Sequence, residues 1–346
     1  MNNTCPIPLA HGQIITHAHG SGGQATHQLL EDIFLPAFGN EQLNLLHDGA
    51  FLQLPKSEVV FTTDSFVVQP IFFPGGDIGK LAIVGTANDL AMCGAKPHSL
   101  SAAFILEEGL PIEDLRKVVD SMRVEALALA LQIVAGDTKV IEKKGVSGLL
   151  INTCGIGISI SPAPIHPRQI QEGDAMILSG DIGRHGMAIM AIREHMEFSN
   201  PLFSDCASLF PLVEALLAEK IEIHAMRDLT RGGLATALVE IAESARKELL
   251  LQESAIPISR EVDSACEILG FDPLYVACEG RFIAFIPKSQ VEQALFILRQ
   301  FPEATNACCV GYVAPHSNNP KVHVKNAFGI ERPLYRLAGE LLPRIC

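Results

Sequence analysis

Ser161-Pro162-Ala163-Pro164-Ile165-His166-Pro167 sets three prolines within six residues between two apolar runs. Proline lacks an amide hydrogen and fixes φ, so neither a helix interior nor a central strand accepts this spacing. The stretch reads as a linker, and the domain boundary falls near residues 162–170. It divides the 346 residues into units of 1–162 and 168–335 and a tail of 336–346, in keeping with about two domains for this length. Ahead of the linker, residues 59–63, 100–106 and 149–156 read as strands. Residues 79–93 and 111–134 read as helices. The second opens on Pro111 with Glu113 and Asp114 in its first turn, and Leu115, Val118, Val119, Met122, Ala126 and Leu129 recur at helical spacing. Beyond the linker, 175–179, 281–286 and 310–313 read as strands and 185–194, 208–219, 233–247 and 290–300 as helices. No strict βαβ rhythm links them, so the expected fold class is α+β, each half a sheet covered by helices. The halves share no repeat beyond Asn88-Asp89-Leu90 and Arg227-Asp228-Leu229.

Composition narrows the function. Hydrophobic residues make up 48% and suffice for two cores, while a formal charge of −13 disfavours nucleic acid and anionic membrane surfaces. No lysine or arginine precedes Lys56, which removes the basic start of a signal peptide. The apolar stretch 126–135 is interrupted by Gln132 and is too short to span a membrane. A soluble cytoplasmic protein is expected. Nine cysteines form no Cys-x-x-Cys pair, which argues against a disulfide framework and a zinc ribbon. Five of twelve histidines fall in the first fifty residues, but His17-Ala18-His19 has no matching pair at structural-zinc spacing.

Aspartates recur beside small residues after apolar runs: Asp64, Asp89, Asp137 and Asp228, with Asp48 a weaker case. Each alone reads as a turn or cap residue. Together they suit magnesium, which takes one or two carboxylates and lets substrate phosphates complete its shell. Gly20-Ser21-Gly22-Gly23 and Gly232-Gly233 each precede an expected helix, where free amides can bind phosphate. Gly75-Gly76-Asp77-Ile78-Gly79-Lys80 is too short for a P-loop, Leu81 stands where the hydroxyl belongs, and no Rossmann glycine pattern occurs. Lys139 puts a cation next to Asp137. Glu279 lies in the mostly apolar Ala277-Cys278-Glu279-Gly280, where desolvation raises a carboxyl pKa. The chain ends Pro343-Arg344-Ile345-Cys346, a thiol on a terminal tether.

Leu9-Ala10-His11-Gly12, His19-Gly20-Ser21-Gly22-Gly23, Phe73-Pro74-Gly75-Gly76-Asp77-Ile78-Gly79-Lys80, residues 85–94, Gly136-Asp137-Thr138-Lys139-Val140, residues 227–234, Glu279-Gly280 and the terminal tetrapeptide run from near the first residue to the last. This set resembles the HypE family of hydrogenase maturation factors, carbamoyl dehydratases within the PurM-like aminoimidazole ribonucleotide synthetase superfamily. The resemblance implies an N-terminal mixed α/β domain whose strands form a barrel across a homodimer, with ATP near that interface, and a C-terminal α/β sandwich. Two positions depart from the family pattern. Cys278 replaces an asparagine, and Arg184 replaces an acidic residue before His185-Gly186.

The resemblance also implies a reaction. The partner HypF carbamoylates Cys346, ATP phosphorylates the carbamoyl oxygen, and loss of phosphate leaves S-cyanocysteine, a thiocyanate. HypC and HypD accept the cyanide for the iron of a nickel–iron hydrogenase. Magnesium would be held by Asp64, Asp89, Asp137 and Asp228, with Asp48 a lesser ligand. Gly22 and Gly23 would cover the phosphates, Lys139 would stabilise the transferring phosphoryl group, and Glu279 would act as general base. Two rivals belong to other classes. One is a sister ATP-dependent enzyme such as selenophosphate synthetase or thiamine monophosphate kinase, which has no use for a terminal cysteine. The other is a non-catalytic metal or scaffold protein using the N-terminal histidines.

Overall fold

The computed structural model describes residues 14–21, 23–45, 49–50, 52–143, 148–196, 198, 201–315 and 320–336. Gly22, Asp48 and Cys346 therefore lie outside the described residues. From the N-terminus come two short helices, α1 (Gln24–Leu29) and α2 (Leu35–Phe38), joined by a π turn at Leu30–Phe34. Next follow β1 (Val59–Phe66), the small pin β2 (Phe72–Phe73) and β3 (Gly76–Asp77), and α3 (Ile78–Met92). The first half closes with β4 (Ala95–Glu107), α4 (Ile112–Ala128), β5 (Gln132–Ile141) and β6 (Leu149–Ser159).

Four of these strands form one sheet in the order β1-β6-β4-β5, antiparallel except for the β4–β5 pair. One face of it packs on α3. That helix is apolar on nearly all sides, burying Leu81, Ile83, Val84 and Leu90 among others, each worth about 1.5–3 kcal/mol. Its start is fixed by Asp77, whose carboxylate accepts from the amides of Gly79 at 2.7 Å and Lys80 at 3.0 Å. Gly85 lets it lie close to β1, since a Cβ there would stand 2.8 Å from the Phe66 ring. The sheet's other face is open, with Phe61 at 64% and Ile105 at 38% exposed.

The expected helix 111–134 is corrected. It stops at Ala128, Ala130 turns to φ 51°, and the Leu131 amide closes on the Ala126 carbonyl at 2.9 Å. Residues from Gln132 then pair with β4 as the strand β5. A short apolar run such as Leu131, Ile133, Val134 and Ala135 suits either state, and pairing decides it.

The second half contains β7 (Ala175–Leu178), α5 (Arg184–Arg193), α6 (Phe210–Ala218), β8 (Ala225–Asp228), α7 (Gly233–Ala245), β9 (Glu248–Gln252) and α8 (Arg260–Leu269). It continues through β10 (Phe282–Ile286), α9 (Val291–Leu298), β11 (Cys308–Val313), β12 (Lys321–Lys325) and β13 (Glu331–Leu334). Seven strands make a mixed sheet in the order β13-β12-β9-β11-β7-β10-β8. Alternate residues feed two cores, as strand geometry requires. Ile177, Phe282 and Ala284 join α5, α6 and α9 in a core continuous with the first half, and Met176, Leu178, Ile283 and Phe285 pack under α7. After β13, the Tyr275 hydroxyl donates to the Tyr335 carbonyl at 3.0 Å, and Arg336 ion-pairs with Glu243.

Candidate active site

Strand period two turns Thr62 and Asp64 of β1 toward α3, while Phe61, Thr63 and Ser65 look outward. The Thr62 hydroxyl donates to the Asp89 carboxylate at 2.8 Å, linking β1 to the last turns of α3. Asp228 ends β8, where it pairs with Phe282 of β10, and the loop entering β10 carries Glu279. The Leu229 amide donates to the Arg281 carbonyl at 3.0 Å, and the Cys278 amide donates to the Leu229 carbonyl at 2.9 Å, so the two loops travel together. Asp64, Asp89, Asp228 and Glu279 thus line one cleft of about 440 Å³ where the two sheets meet. Ile165, His166 and Pro167 supply part of its wall, so the proline stretch serves the cleft as well as joining the halves.

Electrostatics in the cleft are those of crowded carboxylates. Burial pushes Asp64 up, opposed by the Ser65 amide and Arg231. Burial also raises Asp89, opposed by the Thr62 hydroxyl and reinforced by the charge of Asp64. Asp228 rises furthest, to about 7, through burial and then the charges of Asp89 and Asp64, with Arg227 opposing. Glu279 is 6% exposed. Three hard oxygen donors repelling one another are a donor set that a divalent cation relieves, and that chemistry fits magnesium. Among the described residues no three His, Cys, Asp or Glu side chains form a ready-made metal cage. Magnesium does not ask for one when phosphate oxygens complete its shell.

Asp137 and Lys139 are elsewhere. They sit within β5 rather than at a strand end, exposed and ion-paired to each other at 3.5 Å. Register carries Asp137 to Ala103, Ala103 to Asn152, and Asn152 to Ser65. Asp137 therefore shares the outward face with Ser65, while Asp64 faces inward. Three strand spacings, about 15 Å, also separate β5 from β1. Gly23 belongs to the β5 side. It caps α1, and a Cβ on the nearby Gly20 would stand 2.7 Å from the Val140 amide. Thr26 and His27 border an apolar pocket of about 330 Å³ together with Asp137, Thr138, Leu30, Phe34 and Phe104.

Several cleft residues escaped the sequence reading. Thr62 had a signal, being two residues before Asp64 on a strand. Arg231 lines the cleft from within a motif whose glycines drew the attention, and Cys93 stands at the lip. The two departures also find their physical place. The Cys278 sulfur accepts from the Gly183 amide at 3.1 Å, and burial pushes its thiol well up, so it packs as a small neutral side chain beside Glu279. Arg184 opens α5, where a cation opposes the helix dipole, and its ion pair with Asp181 offsets that.

Comparison with known proteins adds a family. The N-terminal domain of AIR synthase related protein matches residues 46–159, and its C-terminal domain matches residues 171–322. A carbamoyl dehydratase HypE of Rhodobacter capsulatus is 45% identical over 336 residues, covering 96% of this chain and 98% of that protein. The crystal structure of a hydrogenase maturation protein HypE in complex with ATP is 42% identical, with a TM-score of 0.91 over 95% of this chain and 99% of that one. The crystal structure of a HypE–HypF complex contains a chain 42% identical, with a TM-score of 0.77 over 89% of this chain and 99% of that one.

Proposed function

Because the chain belongs to the HypE carbamoyl dehydratases of the AIR synthase related family, we propose that it dehydrates an S-carbamoyl group on its own Cys346 at the expense of ATP. The observation that carries this reading is the convergence of Asp64, Asp89, Asp228 and the buried Glu279 on one cleft. An ATP-bound relative and a HypF-bound relative support the nucleotide and the carbamoyl donor. The γ-phosphoryl group passes to the carbamoyl oxygen, converting a poor leaving group into phosphate. Nitrogen gives up both of its protons: Glu279 takes one as the O-phosphorylated imidate forms, the other passes to the departing phosphate as the C–O bond breaks, and Cys346–S–C≡N remains with ADP and hydrogen phosphate. Magnesium, held by Asp64, Asp89 and Asp228, would neutralise charge on the β- and γ-phosphates. HypC and HypD would receive the cyanide. A cytoplasmic setting accords with the free thiols among the described residues.

Asp137 and Lys139 enter this scheme from a second copy. Opposite faces and opposite edges of one sheet keep them from sharing a phosphate with Asp64 in the same chain. A partner covering the open face around Phe61 and Ile105 would bring its own Lys139 and Gly23 to the nucleotide. The barrel across a homodimer is the arrangement this argument favours, with Gly22 and Asp48 assigned to the same nucleotide site.

Mass spectrometry of the C-terminal peptide tests the reading. After carbamoylation by HypF, Cys346 should lose one water only when ATP is present. An unmodified tail with ATP hydrolysed elsewhere, despite active HypF, would instead favour a small-molecule kinase.

A further inference from the structure

Residues 204–209 have no regular secondary structure, yet Asp205, Cys206 and Leu209 are buried. A buried irregular segment must have its polar backbone satisfied by something outside itself, and two side chains do much of this work. Asn88, next to Asp89 on α3, donates its amide to the Ala207 carbonyl at 3.1 Å and accepts from the Leu209 amide at 2.7 Å. Asp205 reaches the other way. Its Oδ1 accepts from the Glu279 amide at 3.2 Å and from the His185 amide at 3.1 Å. The Ala207 amide adds a bond to the Glu279 carbonyl at 3.4 Å. The segment is pinned from behind as well, the Ser204 amide donating to the Pro74 carbonyl at 2.8 Å.

The fit is tight. A Cβ on Gly280 would stand 1.9 Å from the Asp205 carbonyl oxygen. The second carboxylate oxygen, Asp205 Oδ2, is fully buried and has no hydrogen-bond partner among the described residues; the Arg281 guanidinium ion-pairs with it at 3.9 Å. Arg281 is itself held by the Asp181 carbonyl and carboxylate and by the Gly280 carbonyl, each at 2.8 Å. A carboxylate kept in so costly a position holds two backbone amides in one geometry, and one of them belongs to Glu279.

We propose that residues 204–209 form a clasp between the two halves that sets the separation of Asp89 from Glu279, with Asn88 and Asp205 as its positioning residues. Neither touches the reacting atoms. The inference rests on Glu279 being the base of the proposed dehydration, and its test has one readout that does not.

Asp205→Ala should slow ATP-dependent water loss from the carbamoylated tail by about 100-fold, the scale of an ångström-sized misplacement, with KM for ATP nearly unchanged. Asp205→Asn keeps an acceptor for both amides and should recover most of that loss. Asn88→Ala should show the same rate defect, and the double variant should be no slower than the worse single, because both act through one segment. Independently of the chemistry, amide exchange at Glu279 and His185 should quicken at least about tenfold in Asp205→Ala but not in Asp205→Asn. A folded Asp205→Ala protein with unchanged exchange at Glu279 overturns the clasp, as does Asn88→Ala turning over at the wild-type rate. Should Asp205→Ala not fold, Asn88→Ala and Asp205→Asn decide by the same readouts. A wild-type chain that never dehydrates its tail sinks the proposed function and leaves the exchange experiment to judge the clasp.

Discussion

Replacing Asp228 by asparagine is expected to stabilise the protein while ending its chemistry. Burial, with Asp89 and Asp64 close by, lifts the Asp228 carboxyl from 3.8 to about 7. In the unfolded chain it returns to its ordinary value. Between about pH 4 and pH 7 the folded state therefore holds a proton that the unfolded state has released, and stability falls as pH rises through that window. Above pH 7 the penalty is complete. The gap sets an upper bound of about 4 kcal/mol, and partial solvent access at the cleft trims it to about 2–3 kcal/mol. An amide keeps the shape and carries no charge to desolvate. Asp228→Asn should then raise Tm at pH 8, in EDTA and without nucleotide, by roughly 5 °C, with less than half that gain at pH 5. Water loss from the carbamoylated tail should fall by at least about 100-fold. Thermal denaturation at pH 5, 6, 7 and 8 measures the slope. A variant that melts below wild type at pH 8, or a gain that does not grow with pH, refutes the electrostatic account of the cleft.

Lys139→Ala should leave Tm within about 1 °C, since an exposed ion pair contributes little, yet lower the dehydration rate by about 100-fold or more. Mixing Lys139→Ala with Asp228→Asn chains provides a sharper check. If each site draws on two copies, a 1:1 mixture allowed to re-form dimers regains about a quarter of wild-type activity, half its dimers being mixed and each of these holding one intact site; if each chain holds a whole site, the mixture regains none. Cys346→Ala should abolish tail modification in the mass spectrum while ATP binding, read by calorimetry, stays within about threefold; loss of nucleotide affinity would count against a purely carrier role. Gly280→Ala should cost at least about 2 kcal/mol of stability, since its methyl group would overlap the Asp205 backbone, and a denaturant midpoint equal to wild type would contradict the packing described.

Much of the architecture was legible because local chemistry and tertiary context agreed. The prolines of 161–167, the β-branched run at Leu149–Ser159 and the buried helix at Ile78–Met92 each carry their own signal. Two short strands did not, although others of similar length, such as Ala175–Leu178 and Phe282–Ile286, did. Ala225–Asp228 and Glu248–Gln252 are four and five residues long, and their pairing partners are far along the chain. Ser259 capping Arg260–Leu269 before Gly270 is a helix signal that the sequence carries. The site divides the same way. Its aspartates stood out as single polar residues beside apolar runs, and Asp64, Asp89, Asp228 and Glu279 do share a cleft. That Asp137 faces away from Asp64 was hidden, because extending the preceding helix to Val134 concealed β5 and with it the register that fixes each side chain's face. Asp205 had no signal at all, since a loop residue that accepts two distant amides leaves no period in the sequence.

The hydrogen bond from Tyr275 to the Tyr335 carbonyl gives the last residues a fixed root. Tyr275 lies four positions before Glu279 in the chain, so that root is within about 25 Å of the cleft carboxylate. Eleven residues, 336–346, follow it. Whatever path they take, they reach no farther than about 40 Å. A thiol confined to that radius has a local concentration on the order of ten millimolar as seen by the cleft. Under the proposed dehydration, a soluble thiocarbamate would have to approach that level to compete with Cys346, so a cleft open to solvent would still favour the tethered substrate.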